Sequence, residues 1–557
     1  MAKKNTISYK NTTNLNLKTP NPLDNILTKL EKFDYIPFII YTIILLFINL
    51  VNHKVGDYGV ETDFFWMYVP EAKKILSGTL PIDQFRGPFY PIMLAIFKLF
   101  IGDFFKAGII LNTIAAGITL YFFDKTLKLL YNRFVAFFTT LFIAFNPVFL
   151  QYTYSCGTDM LFLSLVSLTI YFVFSKTKFN LYFAGLFAGL SYLTRYNGIF
   201  LIIGTILFFI FNLLKTKDYK SILLDFSKFT IVFLIIILPW GIYTKIEKGE
   251  FFYNQNYLNT AFEFQENKVS WDEYWQGHKN IKSTYDVFSQ NPTFFTQKVF
   301  SNLYRNFILD THRLIAPANL NDALQYNENN LETNFLAIIL ILSFILYIYF
   351  NHLKGKIGSF KWIFEIENPE KIAFLTFLIL DLLILTLIFY SERFNLFLLL
   401  FYGLILFSTI DNLTLKFKLV GIIISTIFCI YTLSNAYNYN KDIISSGPEE
   451  IILASDWINN NNLPKSKIIA RKPHIAYYTN MKFEVIPVFK SPEEFAKKLN
   501  QTDAQYLFVS AIEVNSRPFL QYILSDSDLR KFPELSQKLT ILTANDYPFY
   551  VIYKINK

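Results

Sequence analysis

Several charged residues at the ends of apolar segments carry the side chains needed for group transfer at a membrane surface. Asp63 follows the first apolar segment, with Arg86 further along the same polar stretch, and Asp159, Arg195 and Arg393 lie at the boundaries of later segments. A carboxylate there can act as a base towards a hydroxyl group, and a guanidinium can hold a phosphate. Charged side chains beside hydrocarbon are energetically costly, and a functional role is the default hypothesis for them. These residues therefore predict one pocket on the outer face.

Each residue also has a structural interpretation. By spacing alone, Asp63 is better explained as the cap of a helix over residues 68–76 than as a base. Asp159 could cap the segment that it begins, and Arg195 could extend to the interface. Asp381 lies in the middle of an apolar segment, where a structural hydrogen bond is favoured over catalysis.

The sequence indicates no certain cofactor. The five histidines lack His-x-x-x-His spacing, and His278 is the one weak candidate ligand for a divalent metal ion. The triplet Asp526-Ser527-Asp528 is interpreted as a helix cap. The chain has no glycine-rich phosphate loop, so nucleotide-driven pumping has no support.

The positions of these residues depend on a polytopic membrane domain. Of the 557 residues, 53% are hydrophobic and only 17% are charged, against about 25% charged in soluble proteins. The apolar residues form segments long enough to cross about 30 Å of hydrocarbon. Eleven transmembrane helices are predicted, at 36–53, 104–123, 134–152, 159–175, 181–196, 198–214, 227–245, 334–351, 372–390, 394–410 and 418–437.

The distribution of lysines among the loops predicts the orientation of the chain in the membrane. The net charge of +9 could suggest a nucleic-acid partner, but the lysines cluster in alternate short loops between apolar segments, which is typical of cytoplasmic loops. The N-terminus is therefore predicted to be cytoplasmic and the C-terminus extracytoplasmic, in a multi-pass protein of the cell (inner) membrane. No nucleic-acid partner is predicted.

Three domains follow from this topology. Residues 1–34 form a cytoplasmic tail, 35–438 a transmembrane domain with outer loops 54–103 and 246–333, and 439–557 a small α/β extracytoplasmic domain. In the first loop, Pro88–Ile101 is too short to span and is predicted to lie in the interface. The α/β domain is predicted to contain helices at 449–460 and 492–500 and strands at Lys467–Ala470, Phe483–Val488, Tyr506–Val509 and Phe549–Tyr553.

An ordered set of motifs resembles the GT-C superfamily of polyprenyl-phosphate-sugar-dependent glycosyltransferases, and especially the bacterial protein O-mannosyltransferase and lipid A aminoarabinose transferase group. The motifs are Asp63 through Gly78, Arg86-Gly87-Pro88-Phe89-Tyr90-Pro91, Asp159-Met160-Leu161-Phe162, Gly185 to Arg195, Arg393-Phe394, and Ala470 to Tyr478. The departures are Gly87, where several members carry proline, and Phe64, where several carry an acid. The acidic pair is common in the protein-mannosylating branch, so its absence makes a protein acceptor less favoured.

The resemblance implies a role for each matched residue. Asp63 would be the general base, Arg86, Arg195 and Arg393 would bind the donor phosphate, and Asp159 would line the pocket or position the acceptor. The reaction would transfer a hexose or pentose from a polyprenyl-phosphate-linked donor to a hydroxyl acceptor in a lipid, glycan or protein, with inversion. A divalent metal requirement stays open.

Two other functions remain. A polysaccharide or lipid-linked oligosaccharide transporter or flippase should show broken helices and paired charges near the midplane, where only Asp381 lies. An oligosaccharide polymerase or ligase would use a larger lipid-linked donor. The carboxylate in the first outer loop favours the monosaccharide transferase.

Overall fold

The structure is a computed structural model that describes residues 33–265, 274, 281–309, 314–315, 331–349, 369–389, 391–487, 489, 491–516, 520–524, 537–544 and 547–556. Most of the predicted N-terminal tail, His278 and the Asp526-Ser527-Asp528 triplet lie outside these residues. The described part of the chain is mainly helical, with one small sheet near the C-terminus.

The main helices of the membrane domain are α1 (Ile36–Asn52), α2 (Val69–Leu76), α3 (Phe89–Ile101), α4 (Phe104–Leu130), α5 (Arg133–Ala144), α6 (Pro147–Tyr154), α7 (Thr158–Phe174), α8 (Asn180–Thr194), α9 (Ile199–Thr216), α10 (Tyr219–Lys248), α11 (Tyr257–Glu263), α12 (Thr284–Gln290), α13 (Pro292–Tyr304), α14 (Leu331–Ile348), α15 (Pro369–Leu385), α16 (Leu398–Leu413) and α17 (Lys418–Ser445). Each predicted apolar segment therefore contains a helix. The apolar helices identify a membrane protein.

By length and composition, four of the helical stretches in the described ranges can each cross a bilayer. They are Phe104–Leu130, Tyr196–Thr216, Tyr219–Lys248 and Lys418–Asn460. A fifth span arises if the bent pair α5 and α6 is counted as one. Several other predicted spans are helices of 17 residues or fewer, such as α1, α7 and α16, which is near the lower limit for a bilayer.

The third predicted span is broken in the middle. Helices α5 and α6 meet at a bend of 59°. Pro147 begins α6, and Asn146 caps it by accepting a hydrogen bond from the amide of Phe149 (2.9 Å). A proline lacks the amide that a continuous helix would use, so the segment Asn146-Pro147 starts a new helix.

Helices α8 and α10 approach closely because of two glycines. A Cβ atom at Gly185 would lie 2.4 Å from the carbonyl oxygen of Phe229, and one at Gly189 would lie 2.8 Å from Ile236. Small residues four apart on one helix permit such contact. Gly185 and Gly189 therefore set how α8 packs against α10, and with it the position of Arg195 at the end of α8.

The C-terminal region has an α/β fold, as predicted. Its strands are β1 (Lys467–Ala470), β2 (Lys482–Val485), β3 (Tyr506–Ser510), β4 (Gln537–Ala544) and β5 (Tyr547–Lys554), in the order β2-β1-β3-β5-β4. β1 is parallel to β2 and β3, whereas β5 is antiparallel to β3 and β4. The helices α18 (Glu449–Asn460), α19 (His474–Thr479), α20 (Pro492–Gln501), α21 (Ala511–Ser516) and α22 (Gln521–Leu524) complete it. The sequence analysis missed β4.

This α/β region packs directly on the segment that carries Asp63. His474 lies 3.0 Å from the carbonyl oxygen of Asp57, and its ring lies 4.5 Å from that of Phe65. The hydroxyl of Tyr477 donates to Asp103 (3.2 Å). The α/β region therefore helps to hold the first polar segment in place.

Candidate active site

Asp63 is presented by a short helical turn anchored by aromatic side chains. Phe64, Phe65 and Tyr68 are buried in the π-helical turn Phe64–Tyr68, which runs into α2. Asp63 precedes this turn, but its side chain caps no helix. Its Oδ2 instead accepts a hydrogen bond from Nη2 of Arg86 at 2.6 Å. The cap interpretation is therefore wrong.

Arg86 is held over an aromatic ring and beside a tight backbone contact. Its guanidinium lies 5.1 Å from the centre of the Tyr68 ring. The next residue, Gly87, is so close to α8 that a Cβ atom there would lie 2.0 Å from the carbonyl oxygen of Leu193. Glycine at this position therefore brings Arg86 next to the end of α8, where Arg195 lies.

Asp159 and Arg195 form a second ion pair, between Nη1 of the arginine and Oδ1 of the carboxylate. Asp159 is in the first turn of α7, whose cap position is Gly157, and Arg195 is the residue that ends α8. The side chain of Asp159 is only 4% exposed and that of Arg195 15%. Arg195 therefore turns into the protein and does not extend towards solvent.

Arg393 completes the group. The ring of Phe394 lies between two guanidinium groups, 4.8 Å from that of Arg195 and 5.0 Å from that of Arg393. The Nε of Arg393 is buried and has no hydrogen-bond acceptor among the described residues. Such a buried donor usually has a partner, so it marks a place where a ligand oxygen could bind.

Five charges thus gather at one end of the helices. We call Asp63, Arg86, Asp159, Arg195 and Arg393 the five-charge cluster; its formal charge is +1. Burial raises the pKa of Asp63, but the guanidinium groups of Arg86 and Arg393 outweigh it and lower the pKa below its ordinary value. The carboxylates Asp159 and Asp63 in turn raise the pKa of Arg393 against the effect of burial. Asp63 and Arg393 therefore stay ionised at neutral pH.

Two acids beside Arg86 were missed by the sequence analysis. Burial, with the nearby charge of Asp83, raises the pKa of Glu71 to about 8. Burial also raises the pKa of Asp83, whose Oδ1 accepts a hydrogen bond from the amide of Phe85 (2.7 Å). Lys472 of the α/β region also lies close enough to lower the pKa of Asp63. Spacing gives no signal for these contacts, since residues 71–86 meet only when their segment folds and Lys472 comes from the α/β region.

Glu61, two residues before Asp63, has a different environment. It is fully buried, and its carboxylate accepts hydrogen bonds from the amides of Asp57 (2.9 Å) and Cys156 (2.6 Å) and contacts Nε2 of His53 (2.8 Å). It therefore ties the first polar segment to the end of α1 and to the loop before α7.

Other candidates are not joined to the cluster by a direct contact. Asp381 is 1% exposed in α15, and its Oδ2 has no hydrogen-bond partner among the described residues. His278 lies outside those residues. Within the described ranges, no group of three or more His, Cys, Asp or Glu side chains is arranged to hold a metal ion.

Comparison with known proteins finds one family model that matches part of the chain. The family model described as dolichyl-phosphate-mannose-protein mannosyltransferase matches residues 86–243. The matched range contains Arg86, Asp159 and Arg195, and it excludes Asp63 and Arg393. No curated protein sequence matches the chain.

Solved structures are similar over nearly the whole chain. The oligosaccharyltransferase AglB of Archaeoglobus fulgidus, in complex with an inhibitory peptide and a dolichol-phosphate, has a TM-score of 0.54 at 12% identity, covering 94% of this chain and 74% of that chain. ArnT from Cupriavidus metallidurans bound to undecaprenyl phosphate has a TM-score of 0.46 at 13% identity, covering 93% and 97%. The similarity to AglB establishes the fold. The family model and this fold confirm the predicted resemblance of the chain to the GT-C superfamily of glycosyltransferases.

Proposed function

We propose that the chain is an integral-membrane glycosyltransferase that moves a monosaccharide from a polyprenyl-phosphate donor to a hydroxyl acceptor. Asp63 takes the proton of the acceptor hydroxyl, whose oxygen attacks the anomeric carbon of the donor. The bond between that carbon and the phosphate oxygen breaks, polyprenyl phosphate leaves, and the anomeric configuration is inverted. The acceptor proton ends on Asp63 and then passes to water.

The observation that carries this proposal is the composition of the five-charge cluster. Two of its three guanidinium groups are paired with its two carboxylates, and the buried Nε of Arg393 lacks an acceptor among the described residues. Preorganised arginines can bind a phosphate and stabilise the charge that develops on it as the glycosidic bond breaks.

The ion pair between Asp63 and Arg86 suggests how donor binding could make Asp63 available as a base. When a donor phosphate binds Arg86, that guanidinium can share its donors with the phosphate and free an oxygen of Asp63 for the acceptor hydroxyl. Asp63 has a side chain 34% exposed, so an acceptor can reach it. Asp159 is nearly buried and would position Arg195 and the wall of the pocket.

Known relatives support a lipid-phosphate donor. The matching family model names dolichyl-phosphate-mannose, and AglB was solved with a dolichol-phosphate. The transferred sugar would be a hexose or a pentose. The acceptor would be an envelope lipid, glycan or protein, and a protein is the least favoured because Phe64, where many protein mannosyltransferases carry an acid, is completely buried.

The proposed topology has eleven spans, a cytoplasmic N-terminus and an extracytoplasmic α/β domain, in the cell (inner) membrane. Exposed Lys176 and Lys497 would then lie on opposite sides. Single cysteines at these positions, on a background in which the buried Cys156 and Cys429 are replaced by serine, should react differently in intact cells. A membrane-impermeant maleimide should label position 497 only, and labelling of position 176 alone would overturn the orientation.

Asp63→Asn tests the reaction itself. The purified full-length variant should lose transfer from synthetic polyprenyl-phosphate sugars while expressing and inserting normally. Asp225→Asn, which removes a partly exposed carboxylate near the start of α10, is the matched control and should retain activity. Full activity of Asp63→Asn would contradict the proposal. Movement of a lipid-linked glycan across vesicles without any transfer would favour the transporter alternative.

A further inference from the structure

A cavity of about 430 Å³ opens beside the ends of α1 and α4, apart from the five-charge cluster. Its residues are of two kinds. The apolar wall contains Leu50, Val51 and Ile109, while the polar rim contains Lys54, Lys106 and Asp103. None of the five charges of the cluster lines it.

The rim is basic. Lys54 and Lys106 are both exposed. Asp103 is the one carboxylate on the rim, and its oxygens are occupied: Oδ1 accepts a hydrogen bond from the amide of Lys106 (2.8 Å) and Oδ2 one from the hydroxyl of Tyr477 (3.2 Å). His53 lines the cavity too, with its Nε2 against Glu61. With two lysines against the one carboxylate of Asp103, the rim has a net positive charge.

Further lysines extend this basic surface. The ammonium groups of Lys73 and Lys98 lie 6.0 and 5.7 Å from the centre of the Phe104 ring, next to Asp103. Four lysines thus surround the start of α4. In the proposed orientation they lie on the extracytoplasmic side, where short loops usually carry few lysines. A cluster that opposes this trend calls for a reason of its own.

We propose that this cavity binds the phosphate headgroup of a membrane lipid. Lys54 and Lys106 would contact the phosphate, and the acyl chains would lie along Leu50, Val51 and Ile109, of which Val51 is half exposed. Lysine side chains at helix ends place their charge at headgroup depth while their methylene groups cover apolar surface. A basic cluster beside an apolar wall is the arrangement that recognises an anionic lipid.

The site also touches the segment that carries Asp63. The ring of Phe105, on the cavity wall, lies 5.7 Å from that of Phe65 and 5.2 Å from that of His53. A bound lipid would therefore stabilise the junction of α1, α4 and the α/β region, whose Tyr478 also lines the cavity. This lipid site does not depend on transferase activity.

The test measures lipid retention by the full-length protein in detergent. Protein incubated with equal amounts of phosphatidylglycerol and phosphatidylcholine is separated from free lipid, and bound lipids are counted by mass spectrometry. The wild type should retain phosphatidylglycerol preferentially. The preference should fall about thirtyfold in the double variant Lys54→Gln, Lys106→Gln, since each lysine near an anionic headgroup contributes about one kcal/mol and every 1.4 kcal/mol is tenfold.

Two variants control for charge and for folding. Lys176→Gln with Lys178→Gln removes two exposed lysines from another loop and should leave the preference unchanged. Val51→Trp keeps the lysines and fills the cavity, so it should reduce retention of both lipids. Equal retention of the two lipids by the wild type, or an unchanged preference in the double variant, would overturn the site.

Two further arms identify the source of the phosphate. If polyprenyl phosphate displaces phosphatidylglycerol from the wild type but not from the Arg86→Gln variant, the two lipids compete in the five-charge cluster, and the cavity is overturned as the lipid site. Displacement from both proteins supports the cavity as a site for lipid phosphates in general. Displacement by inorganic phosphate at the same concentration would overturn a lipid ligand.

Discussion

Glu61 and Asp63 are acids two residues apart in one segment, and the structure uses them in opposite ways. Glu61 is completely buried, with amide hydrogens and His53 around its carboxylate. Asp63 is partly exposed and faces Arg86, with the charges of Arg393 and Lys472 nearby. One acid binds the segment to the rest of the protein, and the other faces a site that a ligand can reach.

The difference shows that burial and the type of partner separate a structural acid from a chemical one. A carboxylate surrounded by backbone donors has no capacity left for a substrate, whereas one paired with an arginine side chain can share that partner with a bound phosphate. Both depend on the same turn, because Phe64 and Phe65, directly after Asp63, pack into the core and anchor the turn. The position of the proposed base, Asp63, therefore depends on the contacts by which Glu61 anchors the same segment.

The largest expected effect on the transfer rate comes from replacing Asp63, and a Glu61 variant measured in the same assays is the comparison. Asp63→Asn should reduce transfer by about a thousandfold, the typical contribution of general base catalysis, with a smaller loss of thermal stability than a Glu61 variant shows. Initial rates with a saturating lipid-phosphate sugar and melting curves in detergent measure the two quantities. If Asp63→Asn lost as much stability as a Glu61 variant, Asp63 would be a structural acid like Glu61.

Gly87→Ala tests whether the five-charge cluster depends on backbone contact. The added Cβ would lie 2.0 Å from the carbonyl oxygen of Leu193, so Arg86 must move away from Arg195. Small displacements of catalytic groups cost about a hundredfold in rate, and a similar loss of transfer is expected.

Gly249→Ala is the control for this substitution. Gly249 has φ of +80° and no atom near its Cβ position, so alanine there should cost about 1 kcal/mol in stability and leave the rate unchanged. Full activity of Gly87→Ala would show that the contact with Leu193 does not position Arg86.

Sequence reasoning reached the cluster because the charges at segment ends are costly and ordered along the chain. It placed Asp63, Arg86, Asp159, Arg195 and Arg393 on one face, and the structure brings them together. It failed for Glu61, which receives a hydrogen bond from the distant Cys156, and for Glu71, whose environment depends on burial and on how its own segment folds. It also took the region of Asn146-Pro147 as one continuous span, because hydropathy does not register a bend between two apolar helices.

Glu61→Gln should act on stability before activity. Glutamine brings an NH₂ group against the amides of Asp57 and Cys156 or against His53, and a buried donor facing donors costs about 2 kcal/mol. Denaturant titration in detergent should show this loss of unfolding free energy. Glu370→Gln, at the start of α15, is the control. A stability unchanged from the wild type would mean that Glu61 does not hold the segment.

Arg393→Lys should have a moderate effect on donor binding. Lysine keeps the positive charge but loses the planar group and the buried Nε, so it contacts a phosphate at fewer points. The KM for the lipid-phosphate donor should rise about tenfold, with a smaller change in kcat. Arg133→Lys, at an exposed arginine that begins α5, should change neither constant. An unchanged KM in Arg393→Lys would remove this residue from the donor site.

Glu71→Gln gives the smallest effect and completes the comparison of acids in this segment. Burial and the charge of Asp83 raise the pKa of Glu71 to about 8, against lowering by Arg86, so the side chain is mostly neutral at pH 7. Because the folded state then holds a proton that the unfolded state releases above about pH 4.5, this group stabilises the fold less as the pH rises towards 8. The variant should therefore match the wild type in transfer rate at pH 7, and its melting temperature should fall less between pH 5.5 and 8.5. A steeper fall in the variant would mean that Glu71 is ionised in the folded protein, like Asp63, and not neutral.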